Sequence, residues 1–261
     1  MTKRAQGFAS LCTLALCLSL GFVPATRAAP VPGQGTWETT LQPRDLNRDG
    51  VADAFYDTVL NITWLADGNA LDDVYGNMGR INLPNTQDWV SNLNVFGMRG
   101  WRLPMMKDTG APGCVEVAMA GTDCGLNFQT ISADGQTVYS ELGHLFYVTL
   151  GNLAMCSPDS TDLQDCIEQP GWGLSNTGGF RRLQDWIYWT GVRDVTDPQH
   201  RSWVVHMRFG AQSPAGNSGP DAGFHAIAVH PGDIGMPEPP TSTLALGSLF
   251  GLWLATRRGT R

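Results

Sequence analysis

The stretch DLNRDGVAD, residues 45–53, carries oxygen donors at a spacing suited to a hard cation. Asp45, Asn47 and Asp49 alternate, Gly50 permits a sharp turn, and Asp53 lies four positions beyond Asp49. Calcium takes about six to eight oxygens, and an EF-type loop supplies them from such positions, one of them through a main-chain carbonyl, here that of Val51. The last position of such a loop holds a bidentate Glu. Here it is Tyr56, with Asp57 one residue late, and no helical pattern flanks the loop. Two readings stand: a calcium loop of Asp45, Asn47, Asp49, Val51 and Asp53, or an Asx-rich turn that leads into a strand at Phe55.

Four cysteines, Cys114, Cys124, Cys156 and Cys166, form two pairs of equal spacing. In an oxidising compartment such local pairs read as the disulfides Cys114–Cys124 and Cys156–Cys166. A zinc site of four thiolates is the rival, although zinc favours closer pairs. Eight tryptophans lie in the same region. Their rings could stack on sugars, or fill a loop-rich core with each indole N–H bonded to a partner. Trp172, in the turn-rich PGWGLSN, is the expected exposed ring. The histidines show no HExxH spacing; His206 and His225 could meet on neighbouring strands. There is no nucleophile elbow, P-loop or dinucleotide fingerprint, and no two carboxylates stand out as a glycosidase pair.

The ends of the chain set its compartment. Lys3 and Arg4 precede an apolar stretch, and ATRAAP follows, so residues 1–28 read as a secretory signal peptide cleaved after Ala28. A retained transmembrane helix is the alternative. Cys12 and Cys17 each follow a Leu, which does not suit a lipoprotein cleavage site. Residues 29–43 read as a linker. At the other end, MPEPPTSTLALGSLFGLWLATRRGTR places an apolar segment, residues 241–255, between a Pro-Glu-Pro triplet and arginines. As a helix this segment spans about 22 Å, short of the roughly 30 Å of a bilayer core. Between the ends, 11 basic residues face 24 acidic ones, a net charge of −13. Such a surface repels nucleic acid and anionic membranes, which excludes nucleic acid as a partner.

Positioning these residues requires ordered loops, since Gly, Pro, Asn and Asp abound. Phe55–Trp64 reads as one strand, and Thr86–Phe96 as a helix capped by Thr86 and stopped by Gly97. SELGHLFYVTLGN reads as a second helix, with Ser140 as cap, Gly151 as stop, and Leu142, Leu145, Phe146 and Thr149 on one face. DWIYWTGV, SWVVHMRFG and GFHAIAVHP read as strands; in the second, Trp203, Val205, Met207 and Phe209 share one side. A helical first half followed by a strand cluster predicts an α+β fold in a single domain, residues 44–234.

The motifs YDTVLNITWLADGN, LNVFGMRGWRLP, YWTGV, SWVVHMRFG and AIAVHPGDI together resemble the Lcl C-terminal domain family. His230 stands where that family's closing Arg would be, and Met105 where a Thr follows the Pro. The family's function is unknown. Its likeness to C-type lectins and the formylglycine-generating enzyme implies a loop-rich α+β scaffold, in which Trp101 and Leu103 of GWRLP enter the core and Arg102 makes a buried or partly buried ion pair. The tail is similar to a PEP-CTERM sorting signal: Pro237, Glu238 and Pro239 match its triplet, Arg257 and Arg258 its cluster. That resemblance implies signal peptidase and an exosortase-type transpeptidase as partners. It also implies transient insertion in a Gram-negative inner membrane, then delivery to the cell surface. The expectation is a non-enzymatic surface or matrix protein binding exopolysaccharide or another glycan, with calcium as its only candidate cofactor. Alternatives are a polysaccharide-modifying enzyme and a purely structural envelope component.

Overall fold

The computed structural model describes residues 29–110, 123–128, 140–160, 164–218 and 223–235. A one-turn helix α1 (Trp37–Thr40) leads into β1 (Leu41–Arg44), then β2 (Ala54–Asp57) and β3 (Ile62–Leu65). Two helices follow, α2 (Leu71–Tyr75) and α3 (Leu83–Asn92). After the two-residue β4 (Gly125–Leu126) come α4 (Glu141–His144) and a π turn, Leu145–Thr149. The strands β5 (Ile187–Arg193), β6 (Arg201–His206), β7 (Ala211–Gly216) and β8 (Val229–Pro231) complete the described elements. Two antiparallel sheets result, ordered β1-β2-β3-β8 and β4-β7-β6-β5. The mixture of short helices and antiparallel sheets is compatible with α+β, but the first half is not mainly helical: it supplies three strands of the first sheet.

The predicted strand Phe55–Trp64 is a hairpin instead. Buried Asp57 accepts the main-chain N–H groups of Val59 and Leu60 through Oδ1 and the indole N–H of Trp64 through Oδ2. This Asx turn, with Asn61 at φ 52°, reverses the chain despite its β-branched residues. The period-2 pattern then sends Phe55 and Trp64 to one cluster and Ala54 and Leu65 to the other. Each cluster draws on both sheets: α4 and the π turn seal the first, and α3 with Trp101 and Leu103 the second.

Helix α3 begins three residues earlier than predicted. Asn82 is its cap, accepting from the N–H of Asn85, and Pro84 sits in the first turn, where its missing N–H costs nothing. Thr86 is inside the helix and buried, its hydroxyl donating to the Asn82 carbonyl. Phe96 lies beyond the helix and is exposed. The second helix starts as predicted, with Ser140 accepting from the N–H of Gly143. Leu142, Leu145, Phe146 and Thr149 are all buried, and Gly151 turns the chain at φ 65°. Strand β6 ends at His206, so Phe209 belongs to the turn before β7; of GFHAIAVHP only the last residues join β8.

GWRLP acts as a fastener. Trp101 and Leu103 are buried, and Arg102 exchanges main-chain hydrogen bonds with Val229. The Arg102 guanidinium donates from both Nη groups to Glu141 at 2.8 Å each, and the N–H of Met105 donates to the same carboxylate at 2.7 Å. One motif thereby joins β8 to the N-terminus of α4.

Candidate functional site

Five of the eight tryptophans fill the core: Trp64, Trp89, Trp101, Trp189 and Trp203. Trp37, Trp172 and Trp186 are half-buried. Two of these three belong to one row of rings. Trp172 stacks on Phe209 with centroids 6.1 Å apart and planes inclined by 28°. Phe209 meets His206 at 5.0 Å, and His206 meets Trp186 edge-on at 5.8 Å. All four residues are half-buried, so the row is continuous and reaches solvent. The exposed Arg208 lies 5.9 Å from the Phe209 ring.

The row is built by β5, β6, the turn after β6 and a ribbon. Trp186 directly precedes β5, His206 ends β6, and Phe209 sits in the β6–β7 turn. Trp172 is carried on a ribbon: the N–H of Ser157 donates to Ile167, that of Gln169 to Met155, and that of Gly173 to Leu153. The N–H of Met155 donates to the Phe209 carbonyl at 2.9 Å and docks this ribbon on the turn. Gly173 lies so close to Arg208 that a Cβ there would sit 3.0 Å from its carbonyl oxygen, at φ 90°. The Cys156–Cys166 disulfide, expected from spacing, ties the ribbon's two arms, and Cys156 is fully buried. Cys124 is disulfide-bonded too; its expected partner Cys114 lies outside the described residues. These bonds do not suit the four-thiolate zinc alternative. Replacing both Cys156 and Cys166 by Ser is expected to lower stability by about 2–3 kcal/mol, read as a lower denaturant midpoint.

The surroundings of His206 are apolar. Its Nδ1 is withdrawn from water with no hydrogen-bond partner, and burial, then the Arg208 charge, depress its pKa. It presents a neutral aromatic ring. His225 does not meet it; it is buried against Tyr188 and donates from Nδ1 to Asn69 Oδ1 at 3.0 Å.

The DLNRDGVAD loop folds on its own main chain. Asp45 accepts from the N–H groups of Arg48, Asp49 and Gly50, Asp49 from Val51, and Asp53 from Leu46 and Asn47. Asn47 bridges to Asp49, accepting its N–H and donating to its carboxylate. The N–H of Val51, then the Asn47 amide, hold the Asp49 carboxyl below its ordinary pKa. Among the described residues these acids do not gather into a metal-holding group of three. The geometry is that of the Asx-rich turn. Its oxygens are of the hard type calcium takes.

Other low-exposure carboxylates serve structural bonds. Asp67 shares Arg182 with the exposed Asp73, Asp108 accepts the Trp203 indole N–H, and Asp194 accepts from Thr196. The sorting residues Pro237, Glu238, Pro239, Arg257 and Arg258, the segment 241–255 and the leader 1–28 lie outside the described residues. Among those described, no helix is long and apolar enough to cross a membrane. Compared with protein-family models, curated proteins and solved structures, the chain matches none.

Trp172, expected exposed from its turn-rich context, is half-buried like Trp37 and Trp186. The row itself is not legible in the sequence, because it forms between segments distant along the chain. The alternation of SWVVHMRFG puts Phe209 on one side of a strand with Trp203, Val205 and Met207, all three buried, whereas Phe209 is half-buried in a turn. The signal that could reveal it is the glycine-flanked turn FGAQSP, which ends the strand before Phe209.

Proposed function

We propose that this chain is a non-enzymatic binding module that holds glycan against the row Trp172–Phe209–His206–Trp186. The single observation that carries the reading is this row of four consecutive rings, half-open to solvent and held rigid by a disulfide-bonded ribbon. Sugar rings present apolar C–H faces that pack on aromatic faces, while their hydroxyls stay in water or bond to rim groups. A rigid platform loses little conformational entropy on binding, which favours affinity.

The resemblances give this activity its setting. A body like the Lcl C-terminal domain, with a C-type-lectin-like or formylglycine-generating-enzyme-like scaffold, would be exported, sorted by an exosortase-type enzyme through residues 235–261, and displayed on a Gram-negative surface or in its matrix. There an exopolysaccharide is the natural ligand class. If calcium takes part, Asp45, Asn47, Asp49, Asp53 and the Val51 carbonyl would hold it and supply charge to a loop that carries none of the row.

The test is binding of the purified protein to immobilised exopolysaccharide and to an array of glycans, with calcium and with chelator. Saturable binding is expected, and Trp172→Ala should weaken it at least about tenfold, the effect of losing an aromatic anchor. Trp172→Phe should retain most of it. Binding to no glycan in either condition, by a variant and parent of equal thermal stability, would overturn the reading.

A further inference from the structure

A different part of the molecule has an unbalanced charge. After α2 the chain runs through four residues with left-handed backbone: Gly76 (φ 62°), Asn77 (φ 52°), Met78 (φ 59°) and Gly79 (φ 74°). For Met78 in particular this conformation is strained, and such strain persists only where surroundings impose it. Here the N–H of Gly76 donates to Asp72, that of Gly79 to Gly76, and the Asn77 side chain donates to the Arg80 carbonyl at 2.7 Å. Gly79 presses on Asn69: a Cβ would fall 1.9 Å from Asn69 Oδ1, the atom that accepts from His225. The loop thus lies locked on the buried Asn69–His225 pair and presents Arg80 immediately after it.

Arg80 is half-buried. Its Nε is withdrawn from water and has no hydrogen-bond partner. Its Nη groups are not withdrawn in that way, and no carboxylate makes an ion pair with it among the described residues. Other arginines of comparable burial are matched: Arg44 with Asp233, Arg102 with Glu141, Arg182 with Asp67 and Asp73. Leaving a partly desolvated guanidinium unmatched is costly, and a body with 24 acids and 11 bases does not lack for carboxylates. A guanidinium whose two Nη groups have no partner among the described residues is a fork for an oxyanion.

We infer that Arg80 is the centre of an oxyanion-binding site, taking a carboxylate or phosphate group of a ligand end-on through its two Nη groups. Val74, Tyr75 and Met78, all exposed on the segment leading to it, supply apolar contact for the rest of that ligand. The site does not depend on the aromatic row.

His225 reports on occupancy. Burial, then the Arg80 charge, depress its pKa to about 4. An oxyanion bound at Arg80 cancels that charge, so the His225 midpoint should rise. The experiment is NMR of the purified protein titrated with inorganic phosphate and with glucuronate, against chloride at equal ionic strength. It follows the Arg80 Nε–Hε resonance at neutral pH and the His225 ring through its titration. A saturable Arg80 shift with an upward move of His225 is expected; response to one anion alone assigns a phosphoryl or a carboxylate ligand. In Arg80→Gln the His225 midpoint should start higher and ignore both anions. Arg80→Lys should keep the low midpoint and bind more weakly, and it serves if Arg80→Gln does not fold. Absence of an anion-specific shift in the parent, or an equal response in Arg80→Gln, overturns the inference.

Discussion

Glu141→Ala should destabilise the protein by about 2–3 kcal/mol, lowering Tm by roughly 5–10 °C. Glu141 accepts both Nη groups of Arg102 and the N–H of Met105, so its loss orphans three donors at once. Breaking one side of a fully buried pair costs about 3–5 kcal/mol. The Arg102 side chain keeps 31% of its exposure, which lets water take up part of the charge and lowers the figure. The damage should spread, because Arg102 joins β8 through Val229 while Glu141 starts α4. The double variant Arg102→Met, Glu141→Leu should recover much of the loss, since it removes the orphaned charge as well as the bond. Thermal or urea unfolding of the three variants checks this. A Glu141→Ala protein as stable as the parent would show the pair to be ornamental.

Mild acid should cost even more. His144, His206 and His225 all have depressed pKa values, with burial as the first cause in each. The neighbouring charges modify this: Asp57 raises His144, Arg208 lowers His206 and Arg80 lowers His225. His144 is the most secluded, with both ring nitrogens buried and unpartnered. In the unfolded chain each imidazole takes a proton near pH 6.5. The folded state refuses it until lower pH, so the unfolded state binds more protons between the two values. Stability is therefore complete above about pH 6.5 and falls as pH drops towards the folded value, about 4 for His225. For His225 alone the loss is on the order of 3 kcal/mol. Carboxylates such as Asp73 and Asp233, held low by Arg182 and Arg44, add their loss only at more acid pH. Urea midpoints measured from pH 7 to pH 4 should hold above about pH 6.5 and decline below it, and His225→Gln should flatten the slope. A midpoint constant down to pH 4.5 would refute the assignment.

How legible this was depends on the range of the interactions involved. Ser140 and Gly151 mark their helix because a cap and a stop act within a turn. Cys156 and Cys166 pair as spaced because ten residues close readily into a loop. GWRLP delivers the expected buried Trp101 and Leu103 and partly buried Arg102. By contrast, the hairpin at Thr58–Asn61 hides in a β-branched run, since its turn rests on the Asp57 side chain and on Asn61 at φ 52° with no Gly or Pro to mark it. Strand β7, AQSPAG, has no apolar alternation, and Pro214 is tolerated because β4 pairs only with Ala211 and Gln212. The aromatic row, and an Arg80 without an ion pair among the described residues, are products of tertiary contact alone. For Phe209 the one local hint is the turn FGAQSP that ends its strand; for Arg80 nothing local distinguishes it from a paired arginine.

The most direct measurement of the central claim is where a bound glycan touches the protein. Take the polysaccharide that binds best, and map its contacts by NMR on a protein labelled in its Trp indole, His and Phe rings. Shifts should concentrate on Trp172, Phe209, His206 and Trp186, while core indoles such as those of Trp64 and Trp189 stay still. Shifts confined to other surfaces, with Trp172 and Phe209 unmoved at saturation, would contradict the claim.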